Sequence, residues 1–395
     1  MDRKFAVETL KDILKVKSVN PPGNEEVVAK KLKKLLESYG IETKLVPYSE
    51  GRVNLIAYLK GTSGSGRVLG FSGHMDVVPP GDVTWKHDPF TAEEDNGKIY
   101  ARGACDMKSG LMSCVMAMIA LKEEGIQLQG DLKLLASVGE EAGAVGAKQL
   151  VEEGYANDLD ALIIAEPSDG DIIVAHKGAL WVKITCYGKT AHGSRPEKGI
   201  NAVLHINEII NKILSDDFQL EFAADPLLGE PTYSINVIEG GSHTNVVPGQ
   251  CSINIDFRTL PSQNHQDIID KLNKVIERTK EKYPHLNAEI SILNDLAPLS
   301  TPRDHSFVRF LQEVCQEAFG TAKEPQGMTG YTDGAQFMKA AGDFPIVIWS
   351  TIDGETAHQP DEYVEIESYL KGIEVFQSIA KKYLGQTIKN KTSLK

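Results

Sequence analysis

The feature that most constrains this chain is a change of rhythm along it. Up to about residue 177, strand-like runs at "RVNLIAYL", "RVLGFSG", "DLKLLASV" and "DALIIA" are set against helical patterns, with "SGLMSCVMAMIALKEEG" and the stretch near "AVGAKQLVEEG" separating the last three. Ahead of them, "NEEVVAKKLKKLLESYG" carries Val28, Leu32, Leu35 and Tyr39 at helical spacing, with Gly40 as the stop. Such alternation predicts an α/β fold, a mostly parallel mixed sheet sandwiched by helices. From 178 to 295 the order becomes strand ("ALWVKITCYG"), helix ("PEKGINAVLHINEIINKIL", opened by a proline), two strands in succession ("TYSINVIEGG", "CSINIDFRTL"), helix ("NHQDIIDKLNKVIERTKEKY") and strand ("NAEISIL"). That β-α-β-β-α-β order is ferredoxin-like and self-contained. The first rhythm resumes at about 296 with "FVRFLQEVCQEAFG", "FPIVIWS" and "EIESYLKGIEVFQSIAKKYLG". The expectation is a discontinuous large domain, 1–177 and 296–395, with an inserted α+β domain at 178–295. The closing "TIKNKTSLK" reads as a frayed tail.

Length supports this division, since 395 residues exceed the usual size of a single core. Against 55 aspartates and glutamates stand only 42 lysines and arginines, a formal charge of −13 that argues against a nucleic-acid partner. The five cysteines are odd in number, widely spaced and without a C-x-x-C pair, which points to a reducing compartment. "MDRKFAVETLKDILKV" lacks the apolar core of a signal peptide, and "CVMAMIAL" is far too short to span a membrane. The expected setting is cytoplasmic, with no membrane partner.

Ligand-type residues gather where the strand patterns of the large domain end. "GFSGHMDVVPPGD" places His74 and Asp76 two apart, so that Asp76 can take the second ring N–H of a metal-bound His74. Asp106 lies in the Gly-punctuated "YARGACDMKSG", where a lone aspartate is ordinarily a helix cap or turn residue. "LLASVGEEAGAVG" ends a strand on Glu140 and Glu141, one of five Glu-Glu pairs in the chain. "LIIAEPSDG" ends another on Glu166, and His358 follows "FPIVIWS" in "TIDGETAHQPDEY". Each has a bland reading alone. Together they lie at strand ends that converge on one crevice in an α/β sheet. Carboxylates crowded there need a cation, and two histidines with several carboxylates suit zinc or a similar divalent ion. For neighbouring glutamates to serve one site the strand must break, and Gly139 and Gly143 give it that freedom.

The stretches "GRVNLIAYL", "SGHMDVVPPGD", "DNGKIYARGACDMKSG", "VGEEAGAVG", "AEPSDG", "TAHGSRPEKGINA", "HTNVVPG" and "FRTLP" together resemble the two-metal deacylases and peptidases, the family of acetylornithine deacetylase, succinyl-diaminopimelate desuccinylase, aminoacylase and carboxypeptidase G. The resemblance runs over nearly the whole chain. It implies two divalent ions, Zn²⁺ first with Co²⁺ or Mn²⁺ as alternatives, bridged by Asp106. One would be held also by His74 and Glu166, the other by Glu141 and His358. Asp76 would orient His74, Glu140 would be the general base, and Asp106-Met107 would be a cis peptide. A water between two such ions has its pKa lowered toward ~7, and Glu140 would pass its proton to the leaving amine.

By the same resemblance the inserted domain is a lid and dimerisation domain. Its His192 would donate to the oxyanion in a partner subunit's site, making the protein a homodimer. Arg258 and Asn245 would bind the substrate carboxylate, with Thr332 and Gly334 of "MTGYTDGAQF" also at the substrate. Glutamate at 166 accompanies deacylases and carboxypeptidases. "TGYTDG" resembles the Thr-Ser-Asp-Gly stretch of desuccinylases, with Tyr331 where Thr is usual and Thr332 where Ser is usual. The expected substrate is a small N-acyl amino acid, first N-succinyl-diaminopimelate of the lysine route, with acetylornithine or a dipeptide as runner-up. A non-catalytic binder of acyl amino acids is the competing class, disfavoured because Glu140 and every ligand are retained. A two-metal phosphoesterase is disfavoured by the lack of a phosphate-cradling loop.

Overall fold

The structure, a computed structural model, describes residues 2–63, 66–215, 218–220, 222–321 and 323–388. It falls into two compact units, Met1–Ala175 with Ser300–Gly327 and Thr332–Lys395, and His176–Leu299 with Met328–Tyr331. The short Met328–Tyr331 segment, which the sequence rhythm puts in the large domain, belongs to the second unit. Lys177 N donates to Met328 O (3.3 Å), and the Arg258 guanidinium lies 6.0 Å over the Tyr331 ring.

In the first unit the strands run Glu42–Ser49, Arg52–Leu59, Asp131–Ser137, Val68–His74, Ala161–Ile164, Ile346–Ile348 and Ile173–His176 across one sheet. The four from Asp131–Ser137 to Ile346–Ile348 are mutually parallel, and the flanking pairs are antiparallel. This is the mixed, centrally parallel sheet expected of the sequence. Strand Val68–His74 shows no alternation because nearly all of it is buried, as a strand covered on both faces requires. Helix Lys108–Glu123 is buried from Lys108 to Leu121, and an apolar surface on every side confines it to the core. It packs on the C-terminal helix Ile366–Leu384. Its first turn reaches the sheet because residue 110 is glycine: a Cβ there would stand 1.8 Å from Ala165 O.

The second unit lays its strands in the order Thr232–Gly240, Gln250–Thr259, Gly178–Tyr187, Asn287–Leu296, all antiparallel. Alternate residues Leu180, Ile184, Ile253 and Phe257 point to one face and pack with Ile206 and Leu272 of helices Ala202–Ile213 and His265–Lys282. Two expectations change. Pro196 does not open a helix but lies in a separate 3₁₀ turn, Pro196–Lys198; the helix begins at Ala202, where the Asn201 side chain accepts from Val203 N and Leu204 N. The C-terminal stretch is not frayed throughout, since strand Gln386–Ile388 pairs antiparallel with Ile126–Leu128; residues 389–395 lie outside the described ones.

Candidate active site

Parallel neighbours end on the same side of a sheet, which is why residues far apart in sequence meet here. His74 is the last residue of Val68–His74, and Glu166 comes two residues after Ala161–Ile164. After Asp131–Ser137 the chain turns through Gly139 (φ 68°) into a 3₁₀ turn, Glu140–Ala142, closed by Gly143 (φ 100°). Both φ values lie in the left-handed region that glycine tolerates. The broken strand lets both neighbouring glutamates face one site. Asp106 precedes helix Lys108–Glu123 but is not its cap, and the Asp106-Met107 peptide is cis. His358 sits in the loop beyond Ile346–Ile348 at φ 62°.

The six residues form two halves joined at Asp106. One carboxylate oxygen, Oδ1, lies 3.1 Å from His74 Nε2, which is also 3.5 Å from Glu166 Oε1. The other, Oδ2, lies 3.2 Å from His358 Nε2, which is 3.1 Å from Glu141 Oε1. Ligand atoms of His74, Glu140 and Glu166 lie within 4.8 Å of one another, as do those of His74, Asp106 and Glu141. Proximity alone therefore does not separate Glu140 from the ligand set; what distinguishes the pair is that it is Glu141 whose Oε1 faces His358.

Asp76 meets the His74 ring with both its main chain and its side chain. The nearer partner of His74 Nδ1 is the backbone oxygen of Asp76 at 3.0 Å, with carboxylate Oδ1 at 3.4 Å. Donation from Nδ1 to that carbonyl leaves Nε2 free to act as a ligand. The buried carboxylate accepts Asn20 Nδ2 (2.8 Å), Glu140 N (3.2 Å) and Glu141 N (3.3 Å). It thus anchors the glutamate turn as well as the histidine.

Burial and neighbouring charge set the protonation of this cluster. Against the cost of burial, the carboxylates of Glu166, Asp106 and Asp76 hold His74 well above the usual histidine range. Hydrogen bonds to Asp106 and Glu141 raise His358 to about 10. Burial pushes Glu140 and Glu166 well above the usual carboxylate range, and Glu141 upward as well. Asp106, though buried, is held low by the two imidazoles. Protons thus balance the crowded carboxylates, and a divalent cation does the same work without them. Imidazole nitrogens and carboxylate oxygens in this number fit Zn²⁺ or a similar ion.

Some residues at the site carry no sequence signal strong enough to single them out. Asp333 is 1% exposed, is hydrogen-bonded by Ser137 Oγ, and is raised by burial to about 6. Lys108, wholly buried, donates Nζ to Val16 O (2.8 Å), and burial lowers it to about 7. Thr332 is also wholly buried, its Oγ1 accepting Gly334 N at 3.1 Å, so these two residues build the turn that presents Asp333. In the second unit, His192 is exposed and its Nδ1 accepts Ser194 N (3.2 Å), which puts the neutral ring's proton on Nε2. Exposed Asn245 accepts Gly193 N through its backbone oxygen (2.7 Å). Arg258 is ion-paired with Asp256 (3.1 Å) beside Tyr331.

A parallel sheet whose strand ends gather two imidazoles and a ring of buried carboxylates defines a metal-dependent hydrolase. Residues 70–382 match the model of Peptidase family M20/M25/M40, and the chain belongs to that family of amidohydrolases. It is 33% identical over 404 residues to a probable succinyl-diaminopimelate desuccinylase of Staphylococcus epidermidis, covering 96% of this chain and 97% of that protein. It shares its fold with an M20 family metallo-carboxypeptidase of Sulfolobus solfataricus (TM-score 0.80, 24% identity, 97% and 99% of the two chains). The same fold is seen in a dinuclear metal-binding M20 peptidase of Bacillus subtilis (TM-score 0.71, 19% identity, 97% and 98%). Among the described residues no helix is long and apolar enough to cross a membrane.

Proposed function

We propose that this protein hydrolyses the amide bond of an N-acyl amino acid, with N-succinyl-L,L-diaminopimelate the leading substrate and acetylornithine or a dipeptide the alternative. The observation that carries the two-metal reading is the division of the Asp106 carboxylate between His74 and His358. One ion would be held by His74, Asp106 and Glu166, the other by Asp106, Glu141 and His358, with Zn²⁺ the first choice and Co²⁺ or Mn²⁺ next. Bound there, the ions would polarise the substrate carbonyl and lower the pKa of water toward ~7.

The chain's own groups then have separate tasks. Glu140 takes a proton from the attacking water on its carboxylate and returns it to the leaving amine. Burial raises its pKa well above the usual carboxylate range, the direction that suits a group which both accepts and returns a proton. Asp76 holds the backbone of Glu140 and Glu141 so that one glutamate serves the protons while the other serves an ion. His192, with its proton on Nε2, donates to the oxyanion, and Arg258 with Asn245 binds the substrate carboxylate. Thr332 and Gly334 shape the substrate end through the Asp333 turn. The reading takes the enzyme to be a cytoplasmic homodimer paired through the second unit, each His192 serving the other subunit. A strictly monomeric preparation with full activity contradicts that arrangement.

The name of the Staphylococcus relative supports the succinyl substrate, and Tyr331, where desuccinylases usually have threonine, keeps acetylornithine and dipeptides in the comparison. Hydrolysis assays on succinyl-diaminopimelate, acetylornithine and simple dipeptides, each with Zn²⁺, Co²⁺ and Mn²⁺, rank the three. Glu140→Gln should cost about 10²–10⁴-fold in kcat and leave two ions bound per chain. Loss of an ion, or retained turnover, would assign the base elsewhere.

A further inference from the structure

Behind Asp106 and His358 lies a buried ion pair that touches neither imidazole. Arg102 Nη1 donates to Glu362 Oε2 at 2.6 Å, and the two side chains are 2% and 0% exposed. The glutamate also accepts Gly103 N (3.0 Å) on Oε2, and Cys105 N (2.9 Å) and Asp106 N (3.1 Å) on Oε1. Both oxygens are thus spent on the loop that ends in Asp106. Arg102 reaches the other way, with Nη1 3.3 Å from Gln359 O and Nη2 3.4 Å from His358 O. The Trp85 ring covers the guanidinium at 4.9 Å, which leaves its planar edge for these bonds.

The segment held in this way is strained. His358 (φ 62°) and Asp361 (φ 56°) both occupy the left-handed region, which few residues other than glycine adopt and which persists only where surroundings impose it. Asp361 Oδ1 is pinned in turn by Lys86 N (2.8 Å) and His87 N (2.9 Å). A buried ion pair offsets much of its attraction with desolvation and is a weak source of stability by itself. Its geometry is what this pair contributes.

We propose that Arg102 and Glu362 are positioning residues that lock Asp106 and His358 into one unit and so set the affinity for the ion these two would share with Glu141. The proposal rests on the two-ion reading of the site. Glu362→Gln keeps the size, but its single oxygen serves one arm of the network and its amide nitrogen cannot accept. Arg102→Lys keeps the charge and loses the fork that spans Glu362 and two carbonyls.

The test is a calorimetric Zn²⁺ titration of chelator-stripped protein, with melting temperature measured alongside. Lys133→Met serves as the control: it removes a buried cation of the same sheet, one whose ion-pair partner Asp158 is exposed and which lies away from the strand ends. Wild type should bind two equivalents. Each clamp variant should bind the ion at His358 about 10–100-fold more weakly and the ion at His74, which shares only Asp106 with the clamp, with a smaller loss, while Lys133→Met lowers the melting temperature and leaves both affinities unchanged. Should Glu362→Gln fail to fold, Arg102→Lys carries the test. Two equivalents at wild-type affinity in the clamp variants overturn the proposal, as does weakening that merely tracks melting temperature. Fewer than two equivalents in wild type overturns the two-ion reading itself, and the clamp with it.

Discussion

Replacing Gly110 by alanine sets two effects of opposite sign against each other. Helix propensity alone favours alanine over glycine inside a helix by about 1 kcal/mol. The structure predicts the reverse, because the new Cβ would lie 1.8 Å from Ala165 O, about 1.6 Å inside the 3.4 Å at which ordinary contact begins. The clashing atom is backbone at a strand end buried against the helix, so no side chain can swing aside. Overpacking of this kind costs about 1–3 kcal/mol or more, which exceeds the propensity gain. Net of the propensity gain the loss reaches about 2 kcal/mol, and at about 2–4 °C per kcal/mol for a unit of this size the melting temperature should fall by up to roughly 8 °C. Ala165 is followed by Glu166, so the forced shift also moves a candidate ligand, and a misplacement near 1 Å can cost about 10²-fold in rate. Calorimetric melting and kcat/KM on the same preparations measure both. A melting temperature equal to or above that of wild type, with unchanged kcat/KM, refutes the close approach and the account of how the helix is seated.

Metal affinity should rise with pH across neutrality. His358, raised to about 10, carries a proton in the metal-free protein at pH 7, the other raised groups His74, Glu140 and Glu166 are shifted in the same proton-retaining direction, and ligands must shed their protons to bind an ion. Lowering the pH therefore favours the proton-bound form and weakens metal binding. Calorimetry in buffers of different ionisation enthalpy should show net proton release as the site fills, and zero released contradicts the assignment. Asp76→Asn keeps the shape but replaces one acceptor oxygen by an amide nitrogen, which faces donors at Asn20, Glu140 or Glu141. Mutation of a group holding a ligand costs about 10–100-fold in metal affinity or activity, so kcat should fall in that range; wild-type kcat and affinity would show that the glutamate turn stands without it.

Much of the fold is written in local pattern. The alternation of apolar strands and helices prefigures the centrally parallel sheet, and its interruption marks the inserted β-α-β-β-α-β unit, because each strand or helix declares its own period. The positions of His74, Glu140, Glu141 and Glu166 follow from the same logic, since parallel strands bring their ends to one side, whereas Asp106 comes from a loop after a short strand, Lys98–Tyr100, of a separate antiparallel sheet. The bonds that hold these residues in place are another matter. Glu362 binds the amide of Asp106 across 256 residues, and Asn20 binds Asp76 across 56. Such contacts join side chains to backbone groups far away in sequence, and no periodicity encodes them. Asp76 shows the same division: its spacing from His74 suggests a partner for the imidazole, and the nearer acceptor is its main-chain oxygen, with the carboxylate beside it. Pro196 marked a helix start by its usual preference, but Asn201 supplied the actual cap.

The central claim, that one aspartate joins two ion sites, is tested most directly by counting ions. Mass-spectrometric metal analysis of chelator-stripped, Zn²⁺-reloaded protein should find two ions per wild-type chain, one each in Glu166→Ala and His358→Ala, and none firmly held in Asp106→Ala. One ion per wild-type chain, or two retained at wild-type affinity without Asp106, contradicts it.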